Sequence, residues 1–178
     1  MALAGVKKRR NVANYLNTAT DETAVYNLMG VGFTELNENP AAQTTSKRYV
    51  NMASASQSVT GYEPSWAFTA DQIRSEAALN YICEIAELRK TGADAETDMV
   101  IVDLDKPVEE QENTFFARRQ KVAVAVSAFG DEDGEMTCEG DLLGIGDVEI
   151  GSFNTQTKTF TDAAAAAQAS AAPAQGTD

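Results

Sequence analysis

One stretch of this chain carries helical spacing, and that fact narrows the fold more than any other. Between residues 70 and 90 the apolar positions are Ile73, Ala77, Ala78, Tyr81, Ile82, Ile85 and Leu88. Steps of three and four make one continuous stripe, so a single amphipathic helix is predicted over about 70–90. Thr69 with Gln72 three residues on fits a capping box. Arg89 and Lys90 suit the negative end of the helix dipole, and Gly92 offers a left-handed cap.

The remaining patterned segments read as strands. Residues 23–33 carry Val25, Leu28, Val31 and Phe33, punctuated by Gly30 and Gly32. Residues 59–68 place Trp66 and Phe68 on one face, with Pro64 suiting an edge or a strand start. Residues 99–104 are a compact apolar run. Residues 114–129 form the longest strand candidate, with Val122, Val124 and Val126 on one face and Ala123 and Ala125 on the other. Asp131 to Gly134 then reads as a hairpin turn, with Gly134 free to take positive φ. Residues 147–152 alternate acidic and apolar side chains, and 155–161 form a Thr-rich last strand. Several strands, short turns and one helix predict a mainly β fold, a β-sandwich or open barrel flanked by one α-helix.

The 178 residues suit one domain, with flanking segments of different composition. Residues 1–14 make a basic N-terminal arm containing Lys7, Lys8, Arg9 and Arg10. Residues 37–58 are rich in Asn, Ala, Ser, Thr and Gln around Lys47, Arg48 and Tyr49, and read as a long loop. The domain proper spans 15–161. Residues 162–178 hold nine alanines and no aromatic, Val, Ile, Leu or Met, which predicts a disordered tail.

Charge and composition exclude several chemistries. Fourteen Lys and Arg against 27 Asp and Glu give a net charge of −13, which is unsuited to wrapping phosphates in a basic groove. There is no histidine, so Ser-His-Asp and Cys-His catalysis and His-ligated zinc sites are excluded. Two cysteines make no disulfide framework, two thiolates alone do not close a zinc site, and Cys83 reads as a small buried thiol. The N-terminal basic residues follow the apolar stretch, the reverse of a secretory signal. The longest apolar runs are strand-sized and too short for a bilayer, so no membrane partner is expected, and assembly in the cytoplasm is.

The motifs that tempt a site each fail on spacing. Residues 131–149 hold eight carboxylates and no basic residue, and Asp131, Asp133 and Glu135 resemble the start of a calcium loop. Such a loop needs glycine sixth and glutamate twelfth, whereas Gly134 comes fourth and Leu142 twelfth. Gly144-x-Gly146 lacks the following helix and the Lys-Ser/Thr pair of a phosphate cradle. No cofactor or metal set emerges, and no nucleophile and base can be paired into an enzyme. Arg118, Arg119 and Lys121 are the basic cluster within the body of the chain. They either offset local acids on an exposed face or make a salt-bridged contact to a neighbouring subunit.

The run Ser58-Val-Thr-Gly-Tyr-Glu-Pro-Ser-Trp-Ala-Phe68, followed by the helix, resembles the tail tube (major tail) proteins of long-tailed bacteriophages and phage-tail-like particles. The arm Lys7 to Arg10, the insertion before Val59 and the closing Gly151-Ser-Phe-Asn-Thr-Gln-Thr-Lys-Thr-Phe160 agree with it. The resemblance covers most of residues 5–161. It implies a structural virion protein, not an enzyme, forming hexameric rings that stack into a tube around a tape-measure protein. Tail terminator and distal tail or baseplate proteins would be the end partners, and DNA would pass through the lumen without specific binding. The arm and the 37–58 loop would reach the adjacent ring, which makes Lys7 to Arg10, Lys47, Arg48, Tyr49, Arg118 and Arg119 the expected contact residues.

A net negative body suits such a conduit, because an acidic lumen repels phosphates. Asp147 and Glu149 alternate with Val148 and Ile150, which predicts the acids on the lumen face and the apolar pair toward the core. Glu135 and Glu139 are the second choice. Two other readings stand beside the tube: another β-sandwich tail component, such as a terminator or decoration protein, and a small acidic β-sandwich binding module.

Overall fold

The structure, a computed structural model, describes residues 5–20 and 22–163. The chain runs β1 (Val12–Asn17), β2 (Tyr26–Leu28), β3 (Phe33–Asn39), β4 (Ala42–Lys47), β5 (Ser56–Tyr62), β6 (Ser65–Asp71), α1 (Ala77–Glu87), β7 (Glu96–Pro107), β8 (Thr114–Glu132), β9 (Glu135–Asn154) and β10 (Thr159–Asp162). Short 3-10 turns at Arg9–Asn11 and Gly92–Ala95 precede β1 and β7. Over the elements so described the fold is mainly β, with α1 packed against the sheet, as the sequence predicts.

Eight strands form one antiparallel sheet in the order β2-β1-β7-β8-β9-β6-β3, with β10 also paired to β9. The hairpin β8–β9 is its spine, and β9 holds β6 through 137–143 and β10 through 151–154. The hairpin turns on Asp133 and Gly134, at φ 50° and 87°. The Gly134 amide donates to Asp131 Oδ1 at 3.0 Å. Positive φ at both central residues matches the twist of the flanking strands.

The central strand β7 is buried on both faces, which explains its unbroken apolar run. Met99 and Ile101 point into one cluster with Leu36, Trp66, Phe68, Val122, Leu142 and the inner face of α1. Val100 and Val102 point the other way, against Tyr15, Tyr26, Ala117 and Phe153. On α1 the buried residues are Ala78, Leu79, Ile82, Cys83 and Ile85. Burial of each isoleucine contributes about 1.5–3 kcal/mol.

Several expectations need correction. The helix begins at Ala77, not near residue 70, because Thr69, Ala70 and Asp71 pair with Glu139, Cys138 and Thr137 of β9, and Thr69 and Ala70 pair on their other side with Glu35 and Phe33 of β3. Ladder bonds on two sides outweigh local helix propensity there. Thr69 therefore caps nothing, and the N-cap Glu76 makes no side-chain cap bond. At the far end the left-handed cap is Arg89, at φ 50°, while Gly92, also left-handed at φ 60°, opens the 3-10 turn that follows. The Arg89 amide bonds Ala86 O at 3.1 Å, and that of Lys90 bonds Ile85 O at 2.9 Å, the pattern of a Schellman cap.

The N-terminal arm stops short of residue 14, since β1 starts at Val12 and Asn14 is buried. The stretch 37–58, expected as loop, is largely strand. Residues 37–39 end β3, while β4 and β5 pair with each other as a separate two-stranded ribbon. The strands expected at 23–33 and 59–68 are each divided, into β2 and β3 and into β5 and β6. Residues 135–154 form one strand, and β10 extends to Asp162. The rest of the Ala-rich tail expected to be disordered lies outside the described residues.

Candidate functional site

Among the described residues no three His, Cys, Asp or Glu side chains converge as a metal site. The basic residues that follow from the sequence divide into two groups.

The first group is engaged within the subunit. Lys7 Nζ lies 2.6 Å from Asp103 Oδ2 on β7, and Lys106 lies 3.7 Å from the same oxygen. Burial opposes the charge on Asp103, but the hydrogen bond and charge of Lys7 hold its carboxyl below the usual carboxylate range. Arg9 donates to Val12 O at 2.6 Å and to Asn14 Oδ1 at 3.2 Å, folding the arm back on β1. Arg118 donates from both terminal nitrogens to Glu38 at 2.9 Å, joining β8 to β3. Arg119 pairs with Glu149 and lies 4.7 Å from the centre of the Phe160 ring. Burial works against that guanidinium, and Glu149 and the Tyr26 hydroxyl more than restore its charge.

The second group is exposed. Lys8 and Arg10 lie on the arm, and Lys47, Arg48 and Tyr49 sit at the tip of the ribbon, where Arg48 Nε donates to Met52 O at 3.2 Å. Beyond Tyr49, itself 61% exposed, Val50 and Met52 are also open to solvent, and Val59 and Tyr62 continue the apolar character along β5. The ribbon thus pairs polar strands with apolar side chains that find no core in this subunit. An isolated two-stranded hairpin is marginal in water, so a surface that covers it would stabilise it.

The acids differ from the expected alternation. Arg119 pairs with Glu149 and Lys121 with Ile145, so residues 146–148 of β9 bulge out opposite Gln120 alone. Gln120, almost fully buried, donates from Nε2 to Ile145 O at 2.9 Å and Gly146 O at 3.0 Å, and Gly146 turns the bulge at φ 66°. The bulge breaks the phase on which the inward assignment of Val148 and Ile150 rested. Both are half-exposed. Glu149 is neutralised by Arg119, whereas Asp147, Glu135 and Glu139 are exposed.

Two clefts lie beside these features. One of about 570 Å³ is rimmed by Arg9 and Arg10 and floored by Tyr15, Leu28, Phe33 and Phe115. Another of about 440 Å³ opens between the base of the ribbon at Gly61 and Tyr62 and the β9 bulge at Gly146 to Val148. Trp66 lines the second, and its buried Nε1 has no acceptor among the described residues. Sequence reasoning missed Glu38, Asp103 and Phe160 as partners. Their contacts depend on cross-sheet register, and the residue types alone carry no signal of it.

No protein-family model matches the chain, and neither does any curated protein. A solved structure does: a chain from the tail of an empty GTA particle, refined helically with C6 symmetry. The two share 10% sequence identity at a TM-score of 0.55, over 88% of this chain and 99% of that one. At that identity the similarity establishes a common fold.

Proposed function

We propose that this chain is a structural subunit of a phage-type tail, forming hexameric rings that stack into the tube through which DNA leaves the particle. The observation that carries the reading is the shared fold, over nearly the whole of both chains, with a chain of a C6-symmetric tail. A fold alone does not dictate a role, but two features of this chain suit that one. The ribbon β4–β5 is exposed and pairs only with itself in the sheet topology, as a contact completed by a neighbouring copy requires. Arg9 and Arg10 rim a cleft on a body of net charge −13, which favours head-to-tail attraction between unlike patches. Such heterologous contacts propagate into filaments instead of closing.

In this role the chain acts within the virion tail after assembly in the host cytoplasm. The tape-measure protein occupies the bore during assembly, and terminator and distal tail or baseplate proteins meet the two ends. Lys8, Arg10, Lys47, Arg48 and Tyr49 serve the contacts between copies, and the unpaired acids keep the bore from holding DNA. Negative-stain electron microscopy of the concentrated, purified chain tests this. Six-fold rings or tubes are expected, and a chain that stays monomeric at every concentration overturns it.

A further inference from the structure

The hairpin β8–β9 ends in an acidic, partly apolar tip. Residues 131–136 are exposed without exception, and no basic residue lies between Lys121 and Lys158. Strand alternation places Phe129, Asp131 and Met136 on one face of the tip, and Gly130, Glu132 and Glu135 on the other. The first is the face through which Cys138 enters the core, yet beyond Cys138 it is open, with Phe129 39% and Met136 51% exposed. Two large apolar side chains thus stand beside a carboxylate with no cover from their own subunit.

The other end of the same hairpin carries the complement. The cleft of about 570 Å³ is lined by Asn113, Phe115 and Thr155, which flank the first pair of the ladder, Thr114 with Asn154. The tip follows the last pair, Glu132 with Glu135. β8 spans 19 residues, so at about 3.3 Å each its two ends lie up to ~60 Å apart. A subunit cannot bring its own tip to its own cleft, but a second copy displaced along the hairpin can. At the rim Arg9 is held by Val12 and Asn14, whereas Arg10 is exposed and has no partner among the described residues.

We propose that the β8–β9 tip of one copy docks in the Arg9–Arg10 cleft of the next, with Phe129 and Met136 on its apolar floor and Asp131 paired with Arg10. The proposal rests on the tail reading for its stacked copies, and it names the patch that their basic rim attracts. The apolar pair supplies the buried anchor and the ion pair fixes the register. Because the two patches differ and lie at opposite ends of one hairpin, the contact repeats along an axis instead of closing. Glu132 and Glu135, on the other face of the tip, stay outside it.

The full-length chain with a benzophenone amino acid at Met136 tests the contact. Isotopically heavy and light chains are mixed, concentrated and irradiated, and their cross-linked peptides are mapped by mass spectrometry. Electron microscopy of the same sample scores rings and tubes separately. Mixed heavy–light cross-links are expected between position 136 and the peptides that carry Leu28, Phe33 or Phe115. Arg10→Asp breaks no bond among the described residues, and it should lower their yield about tenfold. Adding Asp131→Arg to that variant should restore the yield. Cleft cross-links in assemblies without six-fold symmetry would uphold the docking while the tail reading falls. Rings or tubes whose tip reaches the ribbon, or reaches no other chain, would overturn the docking and leave the tail reading standing. An unchanged yield in Arg10→Asp overturns the pairing with Asp131, and a chain that stays monomeric without mixed cross-links overturns both.

Discussion

Arg118 grips Glu38 with both terminal nitrogens at 2.9 Å, so a residue of the β8 spine is tied to the edge strand β3, which lies beyond β9 and β6 in the sheet order. Both side chains are about one-third exposed, and screening keeps such a pair modest even with bidentate geometry. Arg118→Ala should lower stability by no more than about 1 kcal/mol, and less at high salt. Urea unfolding at two salt concentrations checks this. A salt-independent loss of several kcal/mol would show that Arg118 acts through packing and not through Glu38.

The Lys7–Asp103 pair makes a pH-dependent prediction. The carboxyl of Asp103 is held low in the folded chain, so its contribution is fully present above the unfolded carboxylate value near ~3.9 and is lost as pH falls through the folded value. Acidification below about pH 4 should therefore cost the wild type more stability than Asp103→Asn. Parallel acid-unfolding curves for the two proteins would show that the pair contributes nothing. The same measurement on Lys7→Ala separates the charge of Lys7 from the weaker pull of Lys106.

The elements visible in the sequence are those whose pattern is local. The α1 stripe through Ile82 and Ile85, the β8 alternation of Val122, Val124 and Val126, and the Asp133-Gly134 turn each follow from a few adjacent side chains. Boundaries set by pairing were not visible. Nothing near Thr69 signals that it belongs to a ladder with Glu139, and nothing near Gln120 signals that it caps a bulge in another strand. The surface site was partly legible. Arg118 and Arg119 stood out as the basic cluster, but their partners Glu38 and Glu149 come from strands whose register the sequence does not print.

The ribbon should be separable from the fold. β4 and β5 pair with each other, outside the eight-stranded sheet, and Ala41 and Glu63 close the base through a 3.2 Å backbone bond. Replacing residues 43–61 with a short turn should leave the monomer's thermal midpoint within a few degrees of wild type, since few buried contacts are lost. The same variant should fail to elongate into tubes. Normal tubes from it would remove the ribbon from the contacts between rings, and an unfolded product would show that the ribbon supports the sheet at Pro64.

The acids of β9 give the sharpest test of a DNA path, and the bulge changes how that test must be built. Glu149 shares its face with Arg119 and is neutralised there, so Glu149→Lys would set two cations together and damage the fold for reasons unrelated to DNA. Asp147, Glu135 and Glu139 are exposed and free of that complication, with Asp147 at the bulge, Glu135 at the β8–β9 turn and Glu139 between them on the same strand. Lysine at each position, singly and together, leaves the buried partners Cys138 and Leu142 untouched. In a six-fold ring each substitution repeats around the axis and turns a repulsive collar into an attractive one. If β9 faces the bore, tubes still form and DNA ejection slows, most at low ionic strength, where attraction to phosphate is least screened. Normal ejection by the triple variant at low salt would put this surface on the outside of the tube, where the same carboxylates serve only to keep the particle solvated.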